Sequence, residues 1–254
     1  MNDAGLRLRL DRLFPRGRTV MVALDHGLFM GARGGPAALP ELAGRMLAAG
    51  ADALILSPGG AVAAADHMRG APLVVRVDMA VGHADPRDAV PRPVITPEGA
   101  CRLGADALLA MAPFGWGRAS EEPAALERLG LLIDRAHGLG LPVIVECLPS
   151  SVPSLVDACR IAAELGADVV KAAYPDDAGE LRELIEGCPR PVVLAGGPKV
   201  PDEASLLQQV ARAMGAGAVG VAFGRNAWGH PEPEGFVARL CRAVHGASEG
   251  EVDQ

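Results

Sequence analysis

The chain has 254 residues, a formal net charge of −7 and a pI near 5.4. Half of its residues are hydrophobic and only 3% are aromatic, so a core must be built from Ala, Val, Leu and Ile; with a mean hydropathy of +0.22 this excludes a disordered chain. An acidic chain without a basic run argues against a general nucleic-acid binder but leaves room for a local phosphate site.

Residues 1–18 read as an N-terminal extension: MNDAGLRLRLDRLF alternates Leu with charge and has no signal-peptide core. Short apolar runs then recur at 20–24, 53–56, 73–77, 107–111, 142–147, 168–172, 191–195 and 218–223, each the length of a buried parallel strand. Between them, 39–49, 121–138, 154–165, 179–186, 203–214 and 235–245 carry helical spacing. The connections at 58–70 and 79–103 are less regular. The longest stretch without a charge, 53–65, contains Pro and two Gly and falls short of the about 20 residues of a membrane helix.

The entries to the runs alternate. Gly50-Ala51-Asp52, Gly104-Ala105-Asp106, Gly166-Ala167-Asp168 and Gly215-Ala216-Gly217-Ala218 precede the even runs, and each Gly suits a helix C-cap. Pro72, Pro142 and Pro191 precede odd runs, where a missing N–H is harmless. A two-run unit used four times predicts an α/β fold, a single (βα)8 TIM barrel over 1–254, with 247–254 as a flexible tail. A doubly wound open sheet is the alternative. The five cysteines are scattered, odd in number and form no C-x-x-C, which reads as reduced thiols in a cytoplasmic protein.

A barrel places its chemistry at the C-terminal ends of the strands. Asp25 and His26 follow the first run, Ser57 the second, Asp78 the third, and Phe114 and Trp116 the fourth. Glu146 and Cys147 end the fifth run, Lys171 and Tyr174 belong to the sixth, Gly196, Gly197 and Lys199 to the seventh, and Gly224 and Arg225 to the eighth.

Lys plus Arg is 24, and only Lys171 and Lys199 are lysines. Arginine therefore serves wherever a generic positive charge suffices, and a lysine can do what arginine cannot: lose its proton and attack a carbonyl. Lys171 lies among Val169, Val170, Ala172 and Ala173. A charged amine is costly to bury there, so its pKa is expected to fall, leaving the neutral nucleophile of a Schiff base. The other reading is a structural lysine paired with a carboxylate such as Asp25. Asp25 itself reads as an acid/base group, an N-cap or that ion-pair partner. His26 is expected to point away from Asp25. Glu146 is a second acid/base candidate if it faces inward and a helix-arginine partner if outward. Cys147 reads as a small core residue.

The turns LAGGPK and VAFGRN let backbone N–H groups approach an anion, with Arg225 to add a charge-assisted bond. Lys199 reads as a phosphate contact, a like-charge neighbour of Lys171 or an ordinary surface lysine. The histidines show no metal-ligand spacing, so no metal or cofactor is expected.

LRLRLDRLFPRGRTVMVALDHG, AAELGADVVKAAYPDD, PVVLAGGPKVPD and GAVGVAFGRNAWGHPEPEGF resemble the archaeal-type class I fructose-bisphosphate aldolases of the deoxyribose-phosphate aldolase superfamily. That group includes the 2-amino-3,7-dideoxyheptulosonate synthases and the thiolase of phosphorylated autoinducer-2. The resemblance spans nearly the whole chain. It implies Lys171 as the Schiff-base lysine, Asp25 as the acid/base residue, and Gly196, Gly197, Gly224 and Arg225 as the phosphate turns. It also implies a cytoplasmic homo-oligomer, a ring or a pair of rings.

One departure stands out. The family's aldolases carry Tyr-Pro-Arg-Gly after the fifth strand, and this chain has Leu148-Pro149-Ser150-Ser151; its only tyrosine, Tyr174, fits the one that follows the family's lysine. Glu146, two residues before Leu148 and so on the same strand face, is the candidate to supply the lost proton chemistry.

The expected activity is a Schiff-base aldolase that makes or breaks a C–C bond with a phosphorylated ketone donor such as dihydroxyacetone phosphate. An aminoheptulosonate-phosphate-type synthase fits the same pattern. The rivals are thiolase-type acyl transfer to coenzyme A, a non-covalent phosphosugar isomerase, and a phosphosugar binder. Neither nucleic acid nor membrane is an expected partner.

Overall fold

The computed structural model describes residues 4–31, 38–80, 90–116, 120–149, 154–175, 177–200 and 202–246. The expected tail at 247–254 lies outside them. The chain opens with helix α1 (Ala4–Leu13), strand β1 (Thr19–Ala23), a short helix α2 (Gly27–Met30) and α3 (Leu39–Ala48). It continues with β2 (Ala53–Leu56), α4 (Pro58–Ala64), β3 (Leu73–Arg76), a ribbon of β4 (Asp78–Met79) and β5 (Arg92–Pro93), then α5 (Pro97–Arg102) and β6 (Ala107–Ala112). The second half is α6 (Glu122–His137), β7 (Val143–Cys147), α7 (Leu155–Glu164), β8 (Val169–Ala172), α8 (Ala178–Gly187), β9 (Val192–Ala195), α9 (Glu203–Ala216), β10 (Gly220–Phe223), α10 (Arg225–Trp228) and α11 (Pro233–His245).

Eight strands close a parallel barrel in the order β1-β10-β9-β8-β7-β6-β3-β2. Each of the eight apolar runs supplies one strand. The irregular stretch after β3 is the antiparallel β4–β5 ribbon, with Asp78 opposite Pro93 and Met79 opposite Arg92.

Strand alternation sorts the side chains into two cores. Val20 and Val22, Leu54 and Leu56, Val143 and Val145, and Val170 pack outward under the helices. Met21, Ile55, Val74, Leu109, Ile144, Val169 and Val193 fill the barrel's interior. In phase with that inner set, two residues further along their strands, are Arg76, Met111, Glu146 and Lys171. The apolar layers form the base, and the polar layer sits at the C-terminal end.

The recurring Gly-Ala-Asp has a double purpose. Gly50, Gly104 and Gly166 turn each helix off with φ of 105°, 84° and 107°. The aspartate then clasps the start of the preceding barrel strand. Asp52 N–H donates to the Val20 carbonyl while its Oδ2 accepts from Val20 N–H, 2.9 and 2.6 Å. Asp106 does the same with Leu73, and Asp168 with Val143. Each carboxylate also meets a basic side chain: His245 at Asp52, Arg12 at Asp106 and His137 at Asp168. The prolines play the complementary part, for the carbonyls of Pro72, Pro142 and Pro191 accept from Leu54, Leu108 and Val170.

The N-terminal stretch packs against the base of the barrel. Leu13 of α1 is fully buried in the inner core, with Leu10 and Phe14 packed beside it. Arg9 of the same helix donates to the Gly140 carbonyl at 2.9 Å. The helix therefore stoppers the base, and whatever enters the barrel does so from the other end. No helix among the described residues is long and apolar enough to cross a membrane.

Candidate active site

A cavity of about 440 Å³ opens at the C-terminal ends of the strands. Its floor holds Asp25, Arg76, Glu146 and Lys171; one wall is Gly196, Gly197, Gly224 and Arg225; the other includes Phe29, Met30, Leu148 and Pro149.

Lys171 and Glu146 are paired in register on β8 and β7, and both face inward. Lys171 Nζ lies 2.6 Å from Glu146 Oε1. Glu146 is thus the inward carboxylate, and Lys171 pairs with it rather than with Asp25. The cup expected to be apolar around the amine is polar. The flanking valines and alanine point to the other side of the strand or lie one layer below.

Arg76 on β3 ties the floor together. Its Nη2 donates to Glu146 Oε2 at 2.5 Å, its Nε to Asp25 Oδ2 at 2.9 Å, and its Nη1 lies 3.4 Å from Asp78 Oδ1. The guanidinium carbon sits 5.1 Å from the centre of the Phe29 ring, a cation–π contact. At 2% exposure this arginine is almost wholly withdrawn from water. Removing one partner of such a buried pair costs about 3–5 kcal/mol.

Two cations face three carboxylates, and the acids differ accordingly. Burial pushes the Glu146 carboxyl up, but Lys171 and Arg76 outweigh it and pull it down to about 2. Burial likewise opposes Asp25, and Arg76, His26 and Lys171 together hold it below the usual carboxylate range. Asp78 has only the longer contact to Arg76 and a bond from Met111 N–H at 2.7 Å; burial wins there and raises it to about 6. Burial also lowers His26, against the pull of Asp25.

His26 does not point away from Asp25. β1 ends at Ala23, so strand alternation no longer governs it. Its ring lines the cavity with Nδ1 3.6 Å from Asp25 Oδ1. The ring also packs on Gly224, where an added Cβ would lie 2.1 Å from His26 Cε1, so only glycine fits.

The two glycine turns are locked together by Asn226. Its amide donates to the carbonyls of Gly196 and Pro198, at 2.6 and 3.0 Å, and its Oδ1 accepts from Val200 N–H. Arg225 leans across, its Nη2 3.3 Å from the Gly197 carbonyl. Lys199 is not among the cavity-lining residues; its ammonium donates to the Gly229 carbonyl at 2.7 Å. Ser57 caps α4, Phe114 is core, and Trp116 holds the Leu148 carbonyl through its indole N–H. Cys147 faces outward and is buried, with its Sγ toward the Ala158 carbonyl. Ser150 and Ser151 lie outside the described residues.

From sequence, Asn226 is placed at the end of the eighth run without a role, and Arg76 and Phe29 are not singled out. A single arginine inside the apolar run 73–77 is as conspicuous as Lys171, and that was the available signal.

A closed parallel barrel with a buried lysine against a carboxylate, opposite paired glycine turns, has the parts a Schiff-base carbon–carbon lyase needs. The profile of the DeoC/LacD family aldolases matches residues 19–230, and the chain belongs to that family. It is a class I aldolase. The chain is 32% identical over 258 residues to an uncharacterised aldolase of Saccharolobus solfataricus, covering 95% of this chain and 94% of the relative. It is 30% identical over 259 residues to the 2-amino-3,7-dideoxy-D-threo-hept-6-ulosonate synthase of Halobacterium salinarum, covering 99% and 96%. An archaeal fructose-1,6-bisphosphate aldolase, solved with its catalytic lysine bound to a carbinolamine intermediate, superposes with a TM-score of 0.83 at 27% identity, covering 95% of this chain and all of that one.

Proposed function

We propose that Lys171 forms the imine with a phosphorylated ketone such as dihydroxyacetone phosphate, and that Asp25 and Glu146 move the protons. The observation that carries this reading is the Lys171–Glu146 contact at 2.6 Å inside the same cavity as the glycine turns.

Glu146 accepts a proton from the Lys171 nitrogen, whose freed lone pair attacks the ketone carbon; a second N–H proton passes to the resulting alkoxide to give the carbinolamine. Glu146 returns the first proton to the carbinolamine hydroxyl, which leaves as water, and the iminium remains. Asp25, fixed on one oxygen by Arg76, uses the other to take the proton from the hydroxyl of the adduct. The C–C electrons flow into the iminium, the aldehyde departs and an enamine is left. Its protonation and hydrolysis return the free lysine. The synthetic direction runs the same steps in reverse.

Gly196, Gly197, Gly224 and Arg225 hold the phosphate and set the distance from it to the carbonyl. Lys199 acts only on the outer edge of that turn. A synthase of the aminoheptulosonate-phosphate type is the substrate class supported by relatives that match 94–99% of this chain. A single barrel domain, a cytoplasmic location and a homo-oligomer, a ring or a pair of rings, belong to the same proposal. The five free thiols support the location.

Borohydride trapping with dihydroxyacetone phosphate, read by peptide mass spectrometry, tests the proposal. A reduced adduct on Lys171 is the expected result. Absence of an adduct with this and a panel of other phosphorylated ketones overturns it.

A further inference from the structure

We propose that Arg76 is a positioning residue of the aldol reaction, fixing the carboxylates of Asp25 and Glu146 at the floor on which Lys171 reacts. The inference rests on Lys171 being the Schiff-base residue.

Three observations carry it. The guanidinium bonds one oxygen of each acid, Asp25 Oδ2 and Glu146 Oε2, and leaves Asp25 Oδ1 and Glu146 Oε1 for other work. Glu146 Oε1 is the oxygen that meets Lys171, and Asp25 Oδ1 is the one turned toward His26. Arg76 is itself enclosed: it lies on a barrel strand, is covered by Phe29 and meets Asp78 from behind. A planar fork with donors in fixed directions can hold two carboxylates from opposite sides, and an ammonium cannot.

The orientation of both acids is therefore set by a residue that takes no proton. The charged and titratable groups around it are Asp25 and His26 after β1, Asp78 on β4, Glu146 on β7, Lys171 on β8 and Arg225 after β10. Without the guanidinium, both Asp25 and Glu146 lose a neighbouring positive charge, and their proton affinities rise.

The test is the rate of borohydride-trapped adduct formation on Lys171, measured against dihydroxyacetone phosphate concentration and pH in Arg76→Gln and Arg76→Lys. In Arg76→Gln the maximal rate at neutral pH should fall by about 100-fold. The half-saturating concentration should stay near the parent value, because the glycine turns are untouched. The acid limb of the rate profile should move to higher pH. Arg76→Lys should recover part of the rate, since it returns the charge without the fork. A folded Arg76→Gln with the parent's rate and acid limb overturns the proposal, as does a loss confined to half-saturation. If Arg76→Gln does not fold, Arg76→Lys decides alone: a lowered maximal rate at unchanged half-saturation supports the proposal, and parent-like kinetics overturn it. A parent enzyme that forms no adduct instead sinks the Schiff-base reading beneath it.

Discussion

Glu146 is bonded through one oxygen to the amine of Lys171 and through the other to the guanidinium of Arg76. An acid gripped on both sides stays ionised down to about pH 2. In the proposed mechanism it accepts a proton from the lysine nitrogen and returns it to the carbinolamine hydroxyl.

Glu146→Gln should therefore slow imine formation itself. The amide keeps the shape and loses both the charge and the basic oxygen facing Nζ. A fall of about 100-fold or more in the trapping rate on Lys171 is expected. Rapid-quench trapping of the parent and the variant at one ketone concentration checks it.

Asp78 makes stability depend on pH in an unusual sense. Its carboxyl is raised from 3.8 to about 6 in the fold, so the folded state binds its proton more tightly than the unfolded state does. Stability is then lost as pH rises from about 4 to 6, by roughly 3 kcal/mol for this group alone. Asp78→Asn is neutral throughout and keeps an acceptor for Met111 N–H. Its melting temperature relative to the parent should be more favourable at pH 7 than at pH 4, and paired thermal melts at those two pH values decide the matter.

Glu146 gives the opposite trend at lower pH. Its folded value of about 2 lies below the unfolded 4.5, so its contribution is complete above about pH 4.5 and fades as pH falls toward 2. Acid titration of the parent and Glu146→Gln should show the parent's advantage disappearing in that window.

Asn226 should act on ligand affinity without touching the lysine. Asn226→Ala removes two donors and one acceptor that hold residues 196–200 in place. The half-saturating ketone phosphate concentration in trapping should rise about tenfold, at an unchanged maximal rate. Titration of the trapping rate against ketone phosphate separates the two quantities.

At the base of the barrel, Asp168→Ala leaves the buried Val143 N–H without its carboxylate and His137 without its partner. A loss of about 1–3 kcal/mol in unfolding free energy is expected. Urea denaturation measures it.

The barrel was legible in the sequence because eight apolar runs and their Gly-Ala-Asp or Pro entries repeat with the period of the fold. Lys171 and Glu146 were legible for a related reason: each is a lone ionisable residue in an apolar strand. Arg76 has the same signature, but in a chain where nearly every cation is arginine it reads as background. Position within the strand, not residue type, was the informative quantity. The orientation of His26 was not readable, since alternation ends with β1 at Ala23 and α2 begins at Gly27. Phe29 likewise lies on that short helix, whose placement depends on contacts with the barrel rim rather than on any period. Asn226 sits beside the more obvious Arg225, and its role appears only once the two glycine turns are seen side by side. The packing of helix α1 was not readable, because its leucines alternate with arginines, which hides the Leu10–Leu13 spacing that meets the barrel.

The aspartate clasps also make the barrel unequal around its circumference. Strands β1 and β2, β3 and β6, and β7 and β8 are each fastened at the base by a carboxylate. The remaining pair, β9 and β10, has Val219 at the corresponding place, which offers Val192 only a main-chain bond. That quarter alone carries both glycine turns. Three quarters of the base are thus fastened by carboxylates, and the remaining quarter closes on main-chain bonds alone, beneath the two glycine turns that Asn226 ties together at the opposite end.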